Sequence, residues 1–177
     1  MTLPELQQAV AYLFPSAVYG TTWTASVDSS GNATINLWST SIGAQPDSTA
    51  LSTALVESQL AAAKTTQNAT RVVSYNAARY GTPVSITVGS TTMTFPTDTL
   101  TQANVTGYLV AFSASTAPAS MPLVDATGTT QSLTYAAMQS LAEAIANASI
   151  AAWTKMKTLQ ADVTAATTIA DVQAVVW

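Results

Sequence analysis

Glu5, Asp28, Asp47, Glu57, Asp98, Asp125, Glu143, Asp162 and Asp171 are the only side-chain carboxylates in the 177-residue sequence, and they bound what chemistry it can perform. The sequence contains no His and no Cys. A Ser-His-Asp nucleophile system therefore cannot be built. Nor can thiol catalysis, a disulfide, or a transition-metal site of the usual imidazole and thiolate ligands. Paired carboxylates can cleave glycosidic bonds. Here, however, Asp28, Asp47, Asp98, Asp125 and Asp171 each fall at a turn or a helix start, where capping and turn formation account for them. Asp28-Ser29-Ser30-Gly31-Asn32 offers oxygen ligands to a calcium ion but lacks the further acids and the bidentate Glu of an EF-hand loop. No Gly-rich phosphate loop occurs. The sequence is read as that of a non-enzyme with no cofactor and no metal.

The remaining polar groups are mostly neutral. Charged residues make up 8% of the chain and hydrophobic residues 48%, with a net charge of −4. Typical globular domains carry about 25% charged residues. The surface must therefore be covered by hydroxyls and amides, Ala and Thr above all, and it loses much of the charge repulsion that keeps monomers apart. Such a chain suits a lasting assembly. The five cations, Lys64, Arg71, Arg79, Lys155 and Lys157, form no run, which argues against a nucleic-acid groove. No stretch approaches the roughly 18 apolar residues of a membrane span. Met1-Thr2-Leu3-Pro4-Glu5 lacks the basic start of a signal peptide. The sequons at Asn32, Asn68, Asn104 and Asn147 are expected by chance in so Thr-rich a chain. Trp23, Trp38, Tyr12, Tyr19, Tyr75 and Tyr80 suit core and interface packing better than a sugar platform.

The elements follow from periodicity and punctuation. Thr2-Leu3-Pro4-Glu5 is a capping box that starts a helix running to about Phe14, with Leu6, Val10, Leu13 and Phe14 inward. A hairpin turns at Asp28 to Asn32 with Gly31 left-handed, placing Val27, Ala25 and Trp23 opposite Ala33, Ile35 and Leu37 on one face. Pro46-Asp47-Ser48 opens a helix whose stripe is Leu51, Leu55, Val56 and Leu60. It continues to Tyr80, with a break allowed near Asn68, and Gly81-Thr82-Pro83 ends it. A second hairpin turns at Gly89-Ser90, pairing Ile86 with Met93 and Val84 with Phe95. A helix spans 99–112 with Leu100, Val105, Leu109 and Phe112 as core. Pro118 and Pro122 bracket a linker, and a third hairpin turns across Ala126-Thr127-Gly128. From Thr134, the residues Met138, Leu141, Ile145, Ser149, Ala152, Met156, Leu159 and Val163 step by three or four, giving a helix of about thirty residues and about 45 Å. Its small central positions allow a coiled-coil seam, though packing on its own domain's sheet is favoured. Thr168-Ile169-Ala170-Asp171 caps a short final helix.

The stretch from Val84 to Trp177 resembles a phage-associated domain of unknown function found in tail-fibre, tail-assembly and prophage tail proteins. The matching residues are the hairpin Ile86-Thr87-Val88 to Met93-Thr94-Phe95, then Pro96-Thr97-Asp98, Asn104-Val105-Thr106, and Leu133-Thr134-Tyr135-Ala136-Ala137-Met138. The ending matches as well, in Leu159 to Val163, Ala165-Ala166-Thr167-Thr168 and Val172 to Trp177. Upstream, Ile35-Asn36-Leu37-Trp38 with Ile42-Gly43 and Pro46-Asp47 is similar to a small tail-protein motif. The related helices carry many Glu, Lys and Arg where this sequence has Ala and Thr. The resemblance supplies no catalytic residue. It implies a virion protein of the distal tail (a fibre, baseplate or connector subunit), made in the bacterial host cytoplasm and binding other tail proteins and copies of itself. A tail-fibre assembly chaperone is the alternative reading. A host-glycan receptor-binding module and a capsid decoration protein stand further back.

Together these readings predict an α+β chain of short β-hairpins packed with helices, with one long C-terminal Ala-rich helix followed by a short terminal helix. Two modules are expected, at residues 1–80 and 81–177. Ala142, Ala146, Ser149, Ala152, Trp153 and Trp177 are the candidate interface residues.

Overall fold

The structure, a computed structural model, describes residues 1–114 and 118–177. The described residues are 57% helical, with short antiparallel two-stranded sheets. The described residues form α1 (Leu3–Leu13), β1 (Trp23–Val27), β2 (Ala33–Trp38), α2 (Ser48–Gly81), β3 (Val84–Val88), β4 (Thr91–Phe95), α3 (Thr99–Phe112), β5 (Met121–Val124), β6 (Thr130–Leu133), α4 (Tyr135–Ala165) and α5 (Ile169–Ala174). The strands pair as β1–β2, β3–β4 and β5–β6. The mixed class, the long C-terminal helix and the short terminal helix are as the sequence predicts.

Two compact units divide the chain. Residues 1–67 and 166–174 form the first, and residues 68–165 and 175–177 the second. The division falls inside α2, upstream of the Gly81-Thr82-Pro83 punctuation, and α5 belongs with the first unit.

In the first unit, the amide of Thr2 donates to Glu5 Oε2 at 2.7 Å, closing the capping box that starts α1. Leu6, Ala9 and Val10 of α1, Trp23 of β1, and Leu51 and Ala54 of α2 make the core. The hairpin register departs from expectation at one place. Val27 faces Ala33 and Ala25 faces Ile35, but a bulge then sets Thr24 opposite Leu37 and Trp23 opposite Trp38. The extra residue is Asn36, whose Oδ1 accepts from the Ser26 hydroxyl at 2.9 Å. The bulge reverses the facing of the residues beyond it. Leu37 is 54% exposed, and Trp38 lies edge-on to Phe14 with centroids 5.0 Å apart. The indole N–H of Trp38 donates to the Gly43 carbonyl at 2.9 Å. Val56, expected in the α2 stripe, is exposed, and Ala54 is buried in its place.

In the second unit, β3 and β4 pair as predicted, with Ile86 opposite Met93 and Val84 opposite Phe95. Gly89 has φ +62° at the first turn position, the region glycine adopts freely. Pro122 lies in β5, opposite Ser132, not in a linker. A two-stranded hairpin has an open edge on each strand, so the missing N–H of a proline is tolerated there. Ile86, Phe95, Val105, Leu123, Leu133, Ala137, Met138, Leu141 and Ile145 form the core. The N-terminal turns of α4 thus pack within their own unit. Leu100, expected inside, is 69% exposed, while Thr101 is buried. Asp98 caps α3, its Oδ1 accepting from the Thr101 amide at 2.7 Å.

The chain repeats one succession of helix, hairpin and long helix, in α1–β1–β2–α2 and in α3–β5–β6–α4. The two hairpins share an Asp-x-x-Gly-x turn. Asp28 N–H donates to the Asn32 carbonyl at 3.0 Å, and Asp125 N–H to the Thr129 carbonyl at 2.9 Å. Gly31 and Gly128 have φ of +83° and +84°. In each case the Asp Oδ1 accepts from the amides two and four residues on.

Candidate interaction surface

The carboxylates are spread along the chain in the roles their spacing implies. Asp47 Oδ1 accepts from the Ala50 amide at 2.7 Å at the start of α2. The Thr168 hydroxyl donates to Asp171 Oδ2 at 2.7 Å across the first turn of α5. Three carboxyls are held below their ordinary range by hydrogen bonds that favour the ionised form. Glu5 is lowered by the Thr2 amide and hydroxyl. Asp28 is lowered by the Asn32 amide and then its side chain. Asp125 is lowered to about 2 by the Thr127 hydroxyl, the Gln131 side-chain amide and the amides of Thr129 and Thr127. A general acid needs the opposite displacement, toward the working pH. Among the described residues, no group of three or more acidic side chains gathers where it could hold a metal ion. No helix among them is long and apolar enough to cross a membrane.

The six predicted interface residues separate by environment. Ala142, Ala146 and Ser149 line one groove of about 370 Å³ in the second unit. Ala152 is 8% exposed and packed within the chain. Trp153 is 50% exposed, with Lys157 Nζ 5.7 Å from its ring centroid. Trp177 is half-buried, and Lys155 Nζ lies 5.1 Å from its ring. The two lysines thus meet aromatic faces, where a cation–π contact of about 0.5–1 kcal/mol is usual at exposed sites.

Three elements build the groove. Helix α3 contributes Gln102, Val105 and Thr106. Helix α4 contributes Ala142, Ile145, Ala146, Ser149 and Ile150, and the last turns of α2 contribute Arg79. Small side chains at i, i+4 and i+7 of α4 leave the space open between the helices. Val105 and Ile145 are buried at its floor, while Ile150 is exposed. Arg79 has neutral partners. Its Nη1 donates to the Tyr75 hydroxyl at 3.3 Å, its guanidinium lies 4.8 Å from the Tyr80 ring centroid, and its Nε is buried without a partner.

Arg71 carries a signal that the sequence reading missed. It is 5% exposed, it hydrogen-bonds the Asn68 side-chain oxygen, and its Nε and Nη1 are buried without partners. An arginine in an Ala- and Thr-rich helix reads as solvated. Only its spacing of seven and three residues from Lys64 and Asn68, on one face of α2, could have marked it as inward-facing. Exposed apolar side chains occur on the same helices, including Val72 and Val73 of α2, Val110 of α3 and Ile150 of α4.

A family model described as "Domain of unknown function (DUF4376)" matches residues 59–176. The chain belongs to this family. The matched segment begins within α2 and takes in both later hairpins, α3, α4 and α5. The DUF4376 segment therefore holds the whole groove together with Arg71 and Arg79, and it extends upstream of Val84, where the motif resemblance starts. Comparison with curated proteins and with solved structures finds no match.

Proposed function

We propose that the chain is a non-enzymatic structural or adaptor component of a bacteriophage tail, a fibre, baseplate or connector subunit of the virion that acts through protein–protein contacts. The observation that carries the contact role is the combination of 8% charged residues with large apolar side chains left exposed along α2, α3 and α4. Isolated exposed apolar residues are ordinary. On a surface so poor in charge they favour burial against neighbours instead of dispersal in water. The motif resemblance carries the tail assignment, and the partners are other tail proteins and copies of this chain.

Mass spectrometry of purified particles, with stoichiometry against the major tail protein, tests this. The expected result is stable recovery in multiples of three or six. Absence from particles, with the protein abundant in infected lysate, overturns the structural role and favours an assembly chaperone.

A further inference from the structure

We infer that the groove between α3 and α4 is a binding site for a segment of a partner protein that presents an aliphatic side chain beside a carboxylate, with Arg79 as the counter-ion. The inference rests on the reading of the chain as a contact protein and names the chemistry of one contact.

Charge complementarity selects the occupant. Among the described residues, Arg79 is the only charged one lining the groove. The Arg79 guanidinium is a cation that presents its N–H donors in a planar fork. Its position in the last turn of α2 sets it near helix carbonyls, which favour a cation there without neutralising it. Its two contacts, the Tyr75 hydroxyl and the Tyr80 ring, orient the guanidinium but bring no negative charge. The Nε is buried without a partner, so an occupant of the groove meets the terminal nitrogens of the guanidinium. A carboxylate supplies both the charge and the planar acceptor that a guanidinium matches.

The rest of the lining fits the other half of the occupant. Ala142, Ala146 and Ile145 present methyl and methylene surface, and Ser149 and Gln102 supply neutral hydrogen-bonding groups. A phosphate or a free sugar would leave that apolar wall bare. An aliphatic side chain covers it, and a peptide backbone supplies partners for the Ser and Gln. The volume of about 370 Å³ lies at the small end of ligand sites, which suits two residues of a peptide.

The test is an NMR titration of the isotope-labelled full chain with two capped dipeptides, acetyl-Glu-Leu-amide and acetyl-Gln-Leu-amide. Saturable shifts are expected at the amides of Gln102, Thr106, Ala146 and Ser149, with the Glu peptide binding about tenfold more tightly than the Gln peptide. Arg79→Gln should erase that difference, and Ala146→Leu, at an exposed position, should abolish binding of both peptides by filling the groove. Equal binding of the two peptides by the unaltered chain overturns the inference. So does the absence of saturable shifts at the groove up to about 50 mM peptide, or a preference for Glu that survives Arg79→Gln. Recovery of the chain in particles is a separate readout. A positive titration with no chain in particles removes the tail assignment alone, and the converse removes the groove alone.

Discussion

Asp125 shows how much one side chain contributes in a chain with so few charges. Its carboxylate collects the Thr127 hydroxyl at 2.6 Å and the Gln131 amide at 2.8 Å as well as two backbone N–H groups. Its pKa falls from 3.8 to about 2. Because the folded value lies below the unfolded one, the unfolded chain binds more protons between them. The stability this group contributes is fully present above the ordinary value and is lost as pH falls through about 2. Asp125→Asn should therefore lower the thermal midpoint at neutral pH, and the gap to the unaltered protein should close as pH falls toward 2. A gap of constant size across that range would mean that turn geometry, not charge, is what the substitution removes. Asp28, in the matching turn of the first unit and also held below its ordinary range, should behave in the same sense.

Arg71 is the opposite case, a buried charge with a neutral partner. Taking a guanidinium out of water without a counter-ion is costly, and well-packed apolar replacements of buried ions are often neutral or stabilising by about 1–4 kcal/mol. Arg71→Met, which keeps the length and the flexible packing of the stem, should leave the unfolding free energy of the isolated chain unchanged or raise it within that range. Chemical denaturation measures this. A loss of more than about 3 kcal/mol would mean that the charge is paired in solution.

At the scale of elements, most of the architecture is legible in the sequence, and the exceptions have local causes. The β3–β4 register follows from alternation plus a glycine at the turn, and α4 follows from a long run of apolar steps by three and four. Both signals are redundant, so no single residue can mislead. The β1–β2 hairpin is harder. Alternation carries the register correctly from Val27 to Ala25, but a bulge at Asn36 depends on the pairing of one hydroxyl with one amide and on where Trp38 can find a hydrogen-bond acceptor. Periodicity contains none of that information. Leu100 fails for a related reason. Hydrophobicity places it inside, yet α3 turns the Thr101 hydroxyl side chain inward and leaves Leu100 at the surface. The groove is half legible. The small residues Ala142, Ala146 and Ser149 stand out as a stripe, whereas Arg79 arrives from α2 and shares no local pattern with them.

The phase of α3 relative to α4 can be measured. Leu141 is fully buried in the core of the second unit, so Leu141→Ala should cost about 2–5 kcal/mol of unfolding free energy. Leu100→Ala removes the same atoms from an exposed site and should change it by no more than about 0.5 kcal/mol. Denaturant midpoints of the two variants decide the matter. Comparable losses would mean that α3 is rotated to bury Leu100, as simple hydrophobic reading expects.

For the whole molecule, the scarcity of charge sets how it associates. Five cations and nine carboxylates leave few pairs with which to build an ion-rich interface, and several are already committed to turns, caps or aromatic faces. Self-association, if it follows the proposed role, must rest on apolar contact and neutral hydrogen bonds. Raising NaCl from about 0.1 M to about 1 M shortens the Debye length from roughly 10 Å to roughly 3 Å and weakens contacts held by exposed charges. Sedimentation analysis across that range should show an association constant that stays level, and ammonium sulfate should strengthen it, because excluded salts favour burial of surface. An association constant that falls steeply with NaCl would place the few charges at the centre of the interface. Arg79→Gln would then report whether the α3–α4 groove belongs to that charged interface, since a carboxylate held by Arg79 is a contact that salt weakens.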